Sequence, residues 1–262
     1  MSQPLASSEE IFIALQSVAR QFRDDTERPS DHPPNMRPVE SEERRSEVKL
    51  LFNSMRLLGA EADPLLPNLS DISLDQYSER LSRAAAHRDV LLYVTGFQRY
   101  APDVWERACR FLAPLYEMVG MPAGYAGLEL FMGRYATTPG GVHRGRGTNF
   151  HFLISGHKKM YVWPRSQFWI APVAHGGSYR SPRGTDFHPL QWREDLDDAV
   201  TLSAAPGDVF HWAIDHWHVG ESPEFSVSLN IALYLQGNPW KLLETGLSAA
   251  VDASESCVIS LS

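Results

Sequence analysis

From Leu128 onward the chain is a succession of short apolar segments separated by turn residues, and this pattern limits the fold more than any other feature. The segments that predict strands are residues 128–135, 149–154, 159–163, 200–203, 208–212 and 226–235. Short strands bounded by Gly, Pro, Asn and Asp are typical of an all-β sandwich or barrel. We therefore expect the C-terminal half to form a β-barrel.

The residues before Leu128 have a different pattern, which predicts a mainly helical region. Apolar residues recur at helical spacing in residues 11–22, 41–58 and 102–118, whereas residues 90–94 predict a buried strand. Ser73 and Gln76 have the spacing of a capping box and predict a further helix that reaches about His87. We expect this region to pack against the barrel.

Composition argues against several classes of function. The net charge of -8 disfavours a nucleic-acid surface, because neutralising phosphates requires clustered Lys and Arg. No apolar run is long enough to span a bilayer, so no membrane association is expected. Residues 1–10 lack the pattern of a secretory signal, and the distant Cys109 and Cys257 indicate a reduced, cytoplasmic protein. One local basic group suits a small anionic ligand: Arg144, Arg146, Lys158 and Lys159.

Two histidines stand in contexts that indicate a metal site. His143 follows a Gly-Gly turn and precedes a predicted strand. His218 follows the turn Pro206-Gly207-Asp208 and another predicted strand. Neutral imidazoles from two different strands can fill two corners of an octahedral Fe(II) site and leave positions open for a cosubstrate and oxygen. His143 and His218 are therefore predicted to be metal ligands.

Two blocks of this half resemble, in order and spacing, the JmjC-type cupins and among them the factor-inhibiting asparaginyl hydroxylase group. The first block contains His143, Asn149, Gly156-His157-Lys158, Trp163-Pro164 and Gln167-Phe168. The second contains Pro206-Gly207-Asp208, His218, Glu221-Ser222 and Ser226-Val227-Ser228-Leu229-Asn230. The resemblance implies an α+β protein with a double-stranded β-helix (jelly-roll or cupin) core. We place that core at residues 128–240, after a mainly helical region at 1–127 and before a C-terminal tail at 241–262.

The resemblance also implies roles for individual residues. His143 and His218 would be the catalytic residues that bind Fe(II), and Lys158 would hold the distal carboxylate of 2-oxoglutarate. A buried carboxylate needs a fixed cation, and Lys supplies a charge-assisted hydrogen bond. Asn149 and Asn230 would sit beside the metal-bound end of the same cosubstrate, where an amide can donate a hydrogen bond without adding charge.

The chain departs from the family's pattern at Gly145, where the resemblance implies an Asp or Glu ligand. In one interpretation the two histidines and 2-oxoglutarate hold the iron, and water or chloride takes the free position, as in the Fe(II)/2-oxoglutarate halogenases; Arg144 or Arg146 would favour such an anion. In a second, His151 lies on the same strand face as His143 and is the third ligand of a three-histidine cupin oxygenase that does not use 2-oxoglutarate. In a third, the barrel is a non-catalytic binding module.

These features together predict an Fe(II)- and 2-oxoglutarate-dependent oxygenase that oxidises an unactivated C–H bond. Hydroxylation is the default outcome, and Gly145 keeps halogenation or desaturation open. The expected substrate is a small molecule, a carrier-bound acyl group or a peptide, chosen by the N-terminal helices and the loop-rich residues 164–193. The sequence leaves open whether the protein is a monomer or a homodimer.

Overall fold

The computed structural model describes residues 5–27, 48–86, 88–122, 124–145, 147–168, 179–180, 186–188, 192–194 and 196–234. The α-helices of this part are α1 (Ser8–Glu27), α2 (Gly59–Ala62), α3 (Leu74–Ala85) and α4 (Pro102–Val119). Its strands are β1 (Val48–Phe52), β2 (Met55–Leu57), β3 (Val90–Val94), β4 (Tyr125–Tyr135), β5 (Val142–Arg144), β6 (Gly147–Ser155), β7 (Lys158–Trp163), β8 (Tyr179–Arg180), β9 (Asp186–His188), β10 (Val200–Ala204), β11 (Val209–Trp212) and β12 (Trp217–Tyr234). None of the described helices is both long and apolar enough to cross a membrane.

The long strand β12 belongs to two sheets and organises the barrel. Its first part, residues 217–221, pairs with β5 and β7, and β10 lies on the other side of β7. Its second part, residues 226–234, pairs with β4 and β6, and β11 lies on the other side of β6. The two antiparallel sheets therefore have the orders β4-β12-β6-β11 and β5-β12-β7-β10. Because β4 to β7 alternate between the sheets, this is a double-stranded β-helix, and the predicted jelly-roll core is confirmed.

Strands β1 to β3 extend the first sheet beyond β4 in the order β2-β1-β3-β4. The helix predicted for residues 41–58 is wrong, because residues 48–52 and 55–57 form a hairpin that pairs with β3. The turn residues Asn53 and Ser54 both have positive φ, as type I′ hairpin turns require. The apolar spacing of this segment fitted a helix, but pairing with a distant strand overrode it.

The N-terminal helices contribute to one core with the outer face of the first sheet. The predicted helices at 11–22, 73–87 and 102–118 correspond to α1, α3 and α4. Helix α3 begins as expected, since Ser73 Oγ accepts a hydrogen bond from the Gln76 N–H at 3.2 Å. Along β4, Leu128 and Leu130 are fully buried in this core, which places Glu129 on the opposite, barrel-facing side.

The predicted strands of the C-terminal half are confirmed, with ends that differ by at most three residues, except that β12 begins at Trp217, well before the predicted start at 226. Four strand segments were missed, namely β5, β8, β9 and the first part of β12. These segments are short or rich in polar residues; β5 is formed by pairing with β12 and β9, and the first part of β12 by pairing with β5 and β7. Most of residues 164–193 and the whole tail at 241–262 lie outside the described residues.

The turn at Gly156, between β6 and β7, sets the start of the strand that carries Lys158. Gly156 has φ +72°, and a Cβ there would lie 2.4 Å from the carbonyl oxygen of Phe225 and 2.8 Å from the Cα of Ser226. We expect Gly156→Ala to lower the free energy of unfolding by roughly 2–4 kcal/mol, because left-handed strain and overpacking add. Urea denaturation measures this, with Gly127→Ala as control because a Cβ at Gly127 meets nothing within 4 Å. Equal losses in both variants would contradict the expectation.

Candidate active site

His143 on β5 and His218 on β12 face each other inside the barrel. They are direct partners in the antiparallel register, and their ring centroids lie 4.3 Å apart with the planes inclined at 60°. The ring of Trp212 lies 4.8 Å from that of His218 on the opposite sheet. Strand pairing therefore brings together the two histidines that the sequence predicts as a pair.

Each of these histidines is held by a backbone carbonyl in the manner of a metal ligand. His143 Nδ1 lies 2.9 Å from the carbonyl oxygen of Gly141, and His218 Nδ1 lies 3.0 Å from that of His216. Because a carbonyl only accepts, Nδ1 carries the hydrogen and Nε2 keeps its lone pair. Metal-binding histidines usually donate their other N–H to such an acceptor. The donor set therefore fits a metal held by the two Nε2 atoms.

Burial also favours the neutral form that a metal requires. Burial lowers the pKa of His143, although the hydrogen bond to Gly141 acts in the opposite direction. The pKa of His218 lies well below its usual value, first because of burial and then because of the charge that His143 would carry. Neutral imidazoles can bind a metal without first losing a proton.

His151 lies on β6 inside the barrel but does not complete a metal site with this pair. Its ring stacks on Phe210 with centroids 5.4 Å apart and lies 5.1 Å from the ring of Trp212. Within the described ranges, no group of three or more His, Cys, Asp or Glu side chains is placed to hold a metal ion. The structure thus brings two of the three candidate histidines together, and it places His151 among aromatic rings.

Gly145 follows β5 at a position that has room for a side chain. A Cβ built on Gly145 meets no atom within 4 Å, and its backbone does not adopt the left-handed conformation. By alternation, position 145 lies on the same side of the strand as His143. The position where the resemblance implies a carboxylate is therefore open space, and no other side chain fills it.

The expectation that Arg144 favours an anion at this position is wrong. Arg144 is 8% exposed, and its guanidinium lies 4.9 Å from the ring centroid of Trp217. Neighbouring residues of a strand point to opposite faces, so Arg144 packs against the outer aromatic cluster while His143 faces inward. Arg146 lies outside the described residues. The basic group therefore does not act as one unit, and Lys159 pairs instead with Glu221 at 3.6 Å.

Lys158 is a buried ammonium inside the barrel. The residue is only 2% exposed, and its Nζ donates to Ser228 Oγ at 3.1 Å and lies 4.6 Å from the ring centroid of Phe131. Among the described residues, no carboxylate lies within ion-pair distance of it. A buried charge without a direct ion-pair partner is costly. This position therefore favours an anionic ligand.

Asn149 and Asn230 meet beside a carboxylate that sequence reasoning missed. Asn230 Nδ2 donates to Glu129 Oε2 at 2.9 Å and to Asn149 Oδ1 at 2.8 Å, and Tyr93 OH donates to Glu129 Oε1 at 3.0 Å. Burial raises the pKa of Glu129, whereas the hydrogen bonds from Asn230 and Tyr93 act to lower it. A sequence signal existed, since Glu129 is an acidic residue between buried leucines of a strand. The roles of Asn149 and Asn230 toward a cosubstrate stay predictions.

Comparison with known proteins shows distant structural likenesses. A structure of Escherichia coli YcfD matches at 16% identity and a TM-score of 0.38 over 63% of this chain, and a Clostridium difficile EutQ structure matches at 9% and 0.29 over 57%. An Acinetobacter L-ribose isomerase matches at 16% and 0.30 over 43%. The chain spans 38% of the YcfD chain, 71% of the EutQ chain and 49% of the isomerase chain. No family model and no curated protein matches. We therefore rest the function on the geometry of the site.

Proposed function

We propose that this protein is a non-haem iron oxygenase that uses 2-oxoglutarate and binds the metal through two histidines. The observation that carries the proposal is the His143–His218 pair, in which the two rings lie 4.3 Å apart and both Nδ1 atoms are tied to backbone carbonyls, so that the lone pair of each ring is on Nε2. Imidazole nitrogen suits iron, and the two ligands leave several coordination positions for a chelating cosubstrate and oxygen.

The position of Lys158 supports 2-oxoglutarate as the cosubstrate. A dicarboxylate that chelates a metal at the histidines has a second carboxylate that needs a cation, and Lys158 and Ser228 supply an ammonium and a hydroxyl. The aromatic walls formed by Phe131 and Tyr135 shield this ammonium from water. The three-histidine alternative, which needs no such cation, does not explain a buried lysine at this place.

The chain's own residues hold and orient the reactants. His143 and His218 hold the metal, their backbone partners fix the ring orientation, and Lys158 fixes the far end of the cosubstrate. When bound, Fe(II) with 2-oxoglutarate supplies the oxidant for an unactivated C–H bond: R–H, O₂ and 2-oxoglutarate give R–OH, succinate and CO₂. The open space at Gly145 leaves room for water or chloride, so halogenation is the second outcome that a structural observation favours.

Turnover tests this proposal directly. The full-length protein is loaded with Fe(II), and 2-oxoglutarate consumption and succinate formation are measured in air, with and without chloride. We expect slow succinate formation even without the true substrate, and we expect it to be absent in His143→Ala. The same rate in that variant, or no succinate from the wild-type protein saturated with metal, would contradict the proposal.

Replacement of Lys158 separates cosubstrate binding from metal binding. We expect Lys158→Met to weaken 2-oxoglutarate binding about 10- to 100-fold, the effect of losing a charged hydrogen bond, while metal affinity stays the same. Calorimetric titration of 2-oxoglutarate into the Zn(II)-loaded protein measures both. Lys159→Met is the matched control, since Lys159 is the neighbouring residue on the outer face and pairs with Glu221. Unchanged affinity in Lys158→Met would refute this role.

A further inference from the structure

The inner face of the first sheet carries buried polar atoms that make no hydrogen bond to any described residue. Four buried side-chain nitrogen or oxygen atoms of the described residues have no hydrogen-bond partner, and three belong to His151, Trp212 and Asn230. Asn230 is the direct register partner of His151, and the ring of His151 lies 5.1 Å from that of Trp212. Buried polar atoms are normally paired, so three such atoms in one patch indicate a site for a ligand.

The orientation of the Asn230 amide decides what this patch can bind. Its Nδ2 donates one hydrogen to Glu129 and the other to Asn149, so Oδ1 is the atom left without a partner. The reverse orientation would place the amide oxygen against the carboxylate of Glu129, which only accepts when ionised. Asn149 favours the same orientation, because its own Nδ2 donates to the carbonyl of Gly147 at 3.2 Å, which leaves Oδ1 to accept from Asn230. Glu129 and Asn149 together therefore make Asn230 present an acceptor, and not a donor, to the barrel.

The charges that face Glu129 indicate that the group bound here is uncharged. The ammonium of Lys49 lies 5.5 Å from the ring centroid of Tyr93, which itself donates to Glu129. Lys49 and Lys158 both act to lower the pKa of Glu129. Two lysines face this one carboxylate and leave the local charge positive, so a further cation would be repelled, whereas a neutral donor would meet the amide oxygen without that cost.

We propose that Glu129 and Asn230 form an acceptor subsite that recognises an uncharged hydrogen-bond donor of the substrate, a hydroxyl or an amide N–H. The inference rests on the proposed function in that it takes the barrel interior as the place where substrate binds. Glu129 acts through Asn230 and is a positioning residue that determines specificity. Trp212 Nε1, a buried donor without a partner, is available to the carbonyl or hydroxyl oxygen of the same group.

An isosteric pair of probes tests the subsite without any turnover. N-methylacetamide and methyl acetate have nearly the same shape, but only the amide has an N–H donor; ethanol is the hydroxyl probe. Each is titrated into the full-length, metal-free protein and followed through the side-chain amide signals of Asn230 and the indole signal of Trp212 in NMR spectra. We expect N-methylacetamide to bind at least about fivefold more tightly than methyl acetate, since an unmet buried acceptor is costly. Comparison with ethanol distinguishes the amide from the hydroxyl.

The variant Glu129→Met tests the positioning role. It removes one of the two acceptors that hold the Asn230 amide, and we expect the preference for the N–H probe to weaken, with Glu117→Met on the exposed side of α4 as control. Equal binding of the two isosteres by the wild-type protein, binding of neither, or a preference that is unchanged in Glu129→Met would overturn the proposal. Because no metal is present, failure here leaves the iron proposal standing, and a protein that binds no iron can still show the preference.

Discussion

His218→Ala is expected to abolish binding of divalent metal at micromolar concentrations. The loss of affinity should exceed the roughly 10- to 100-fold that is lost when a residue hydrogen-bonded to a metal ligand is replaced. The loss is large because the proposed site draws two histidines from the described residues, so the variant would leave His143 as its single protein ligand. In a site with a third protein ligand, the same substitution would leave two. Calorimetry with Fe(II) under anaerobic conditions, or with Co(II) in air, measures the effect.

His157→Ala is the matched control for this variant. His157 is exposed, pairs with Glu224, and lies next to Lys158 without facing the barrel. We expect its metal affinity to equal that of the wild-type protein. Thermal denaturation of the metal-free proteins shows whether both variants fold, and equal metal affinity in His218→Ala and His157→Ala would remove the histidine pair as the metal site.

Gly145→Asp is expected to have the second large effect, in the opposite direction. The variant should raise Fe(II) affinity by more than the roughly 10- to 100-fold that a residue hydrogen-bonded to a metal ligand contributes. The reason is that a carboxylate joins the two imidazoles on the same side of the strand. A Cβ at this position meets no atom within 4 Å, and the backbone of residue 145 is not in the left-handed conformation, so the fold should tolerate the side chain. Metal titration of the two proteins side by side measures the gain.

Gly145→Asn distinguishes coordination from mere occupancy. The side chain has nearly the same size as Asp but no charge, so it should fill the same space and raise affinity far less. Any effect of chloride on the Fe(II) site should be present in the wild-type protein and lost in Gly145→Asp, because the position is then occupied by an anion. A metal affinity that does not change in Gly145→Asp would show that position 145 does not face the metal.

The barrel could be predicted from the sequence because most of its strands are recognisable from their local pattern of apolar and turn residues. Apolar residues bounded by turn residues predict strands at 149–154 and 159–163, and the predicted ends lie within two residues of the ends of β6 and β7. The β1–β2 hairpin was not predictable in this way, since its apolar spacing also fits a helix and only pairing with β3 decides between them. β5 has three residues and no pattern of its own.

The positions of the candidate site residues were predictable where they belong to a local sequence motif, and not where residues far apart in sequence meet across strands. His143, His218 and Lys158 stand in recognisable segments, and the structure places all three inside the barrel. Glu129 was missed because its partners, Tyr93 and Asn230, are far from it in sequence and meet it only in the sheet. Arg144 was misassigned because proximity in sequence to His143 says nothing about strand face.

The most direct test of the two-histidine site is an anaerobic titration of Fe(II) followed by 2-oxoglutarate, monitored by visible absorption. A metal-to-ligand charge-transfer band forms only when the 2-oxo acid chelates the iron. We predict this band for the wild-type protein, its absence in His218→Ala, and its appearance in Lys158→Met only at higher cosubstrate concentration. A wild-type protein that shows no band at saturating Fe(II) and 2-oxoglutarate would contradict the account, as would an unchanged band in His218→Ala.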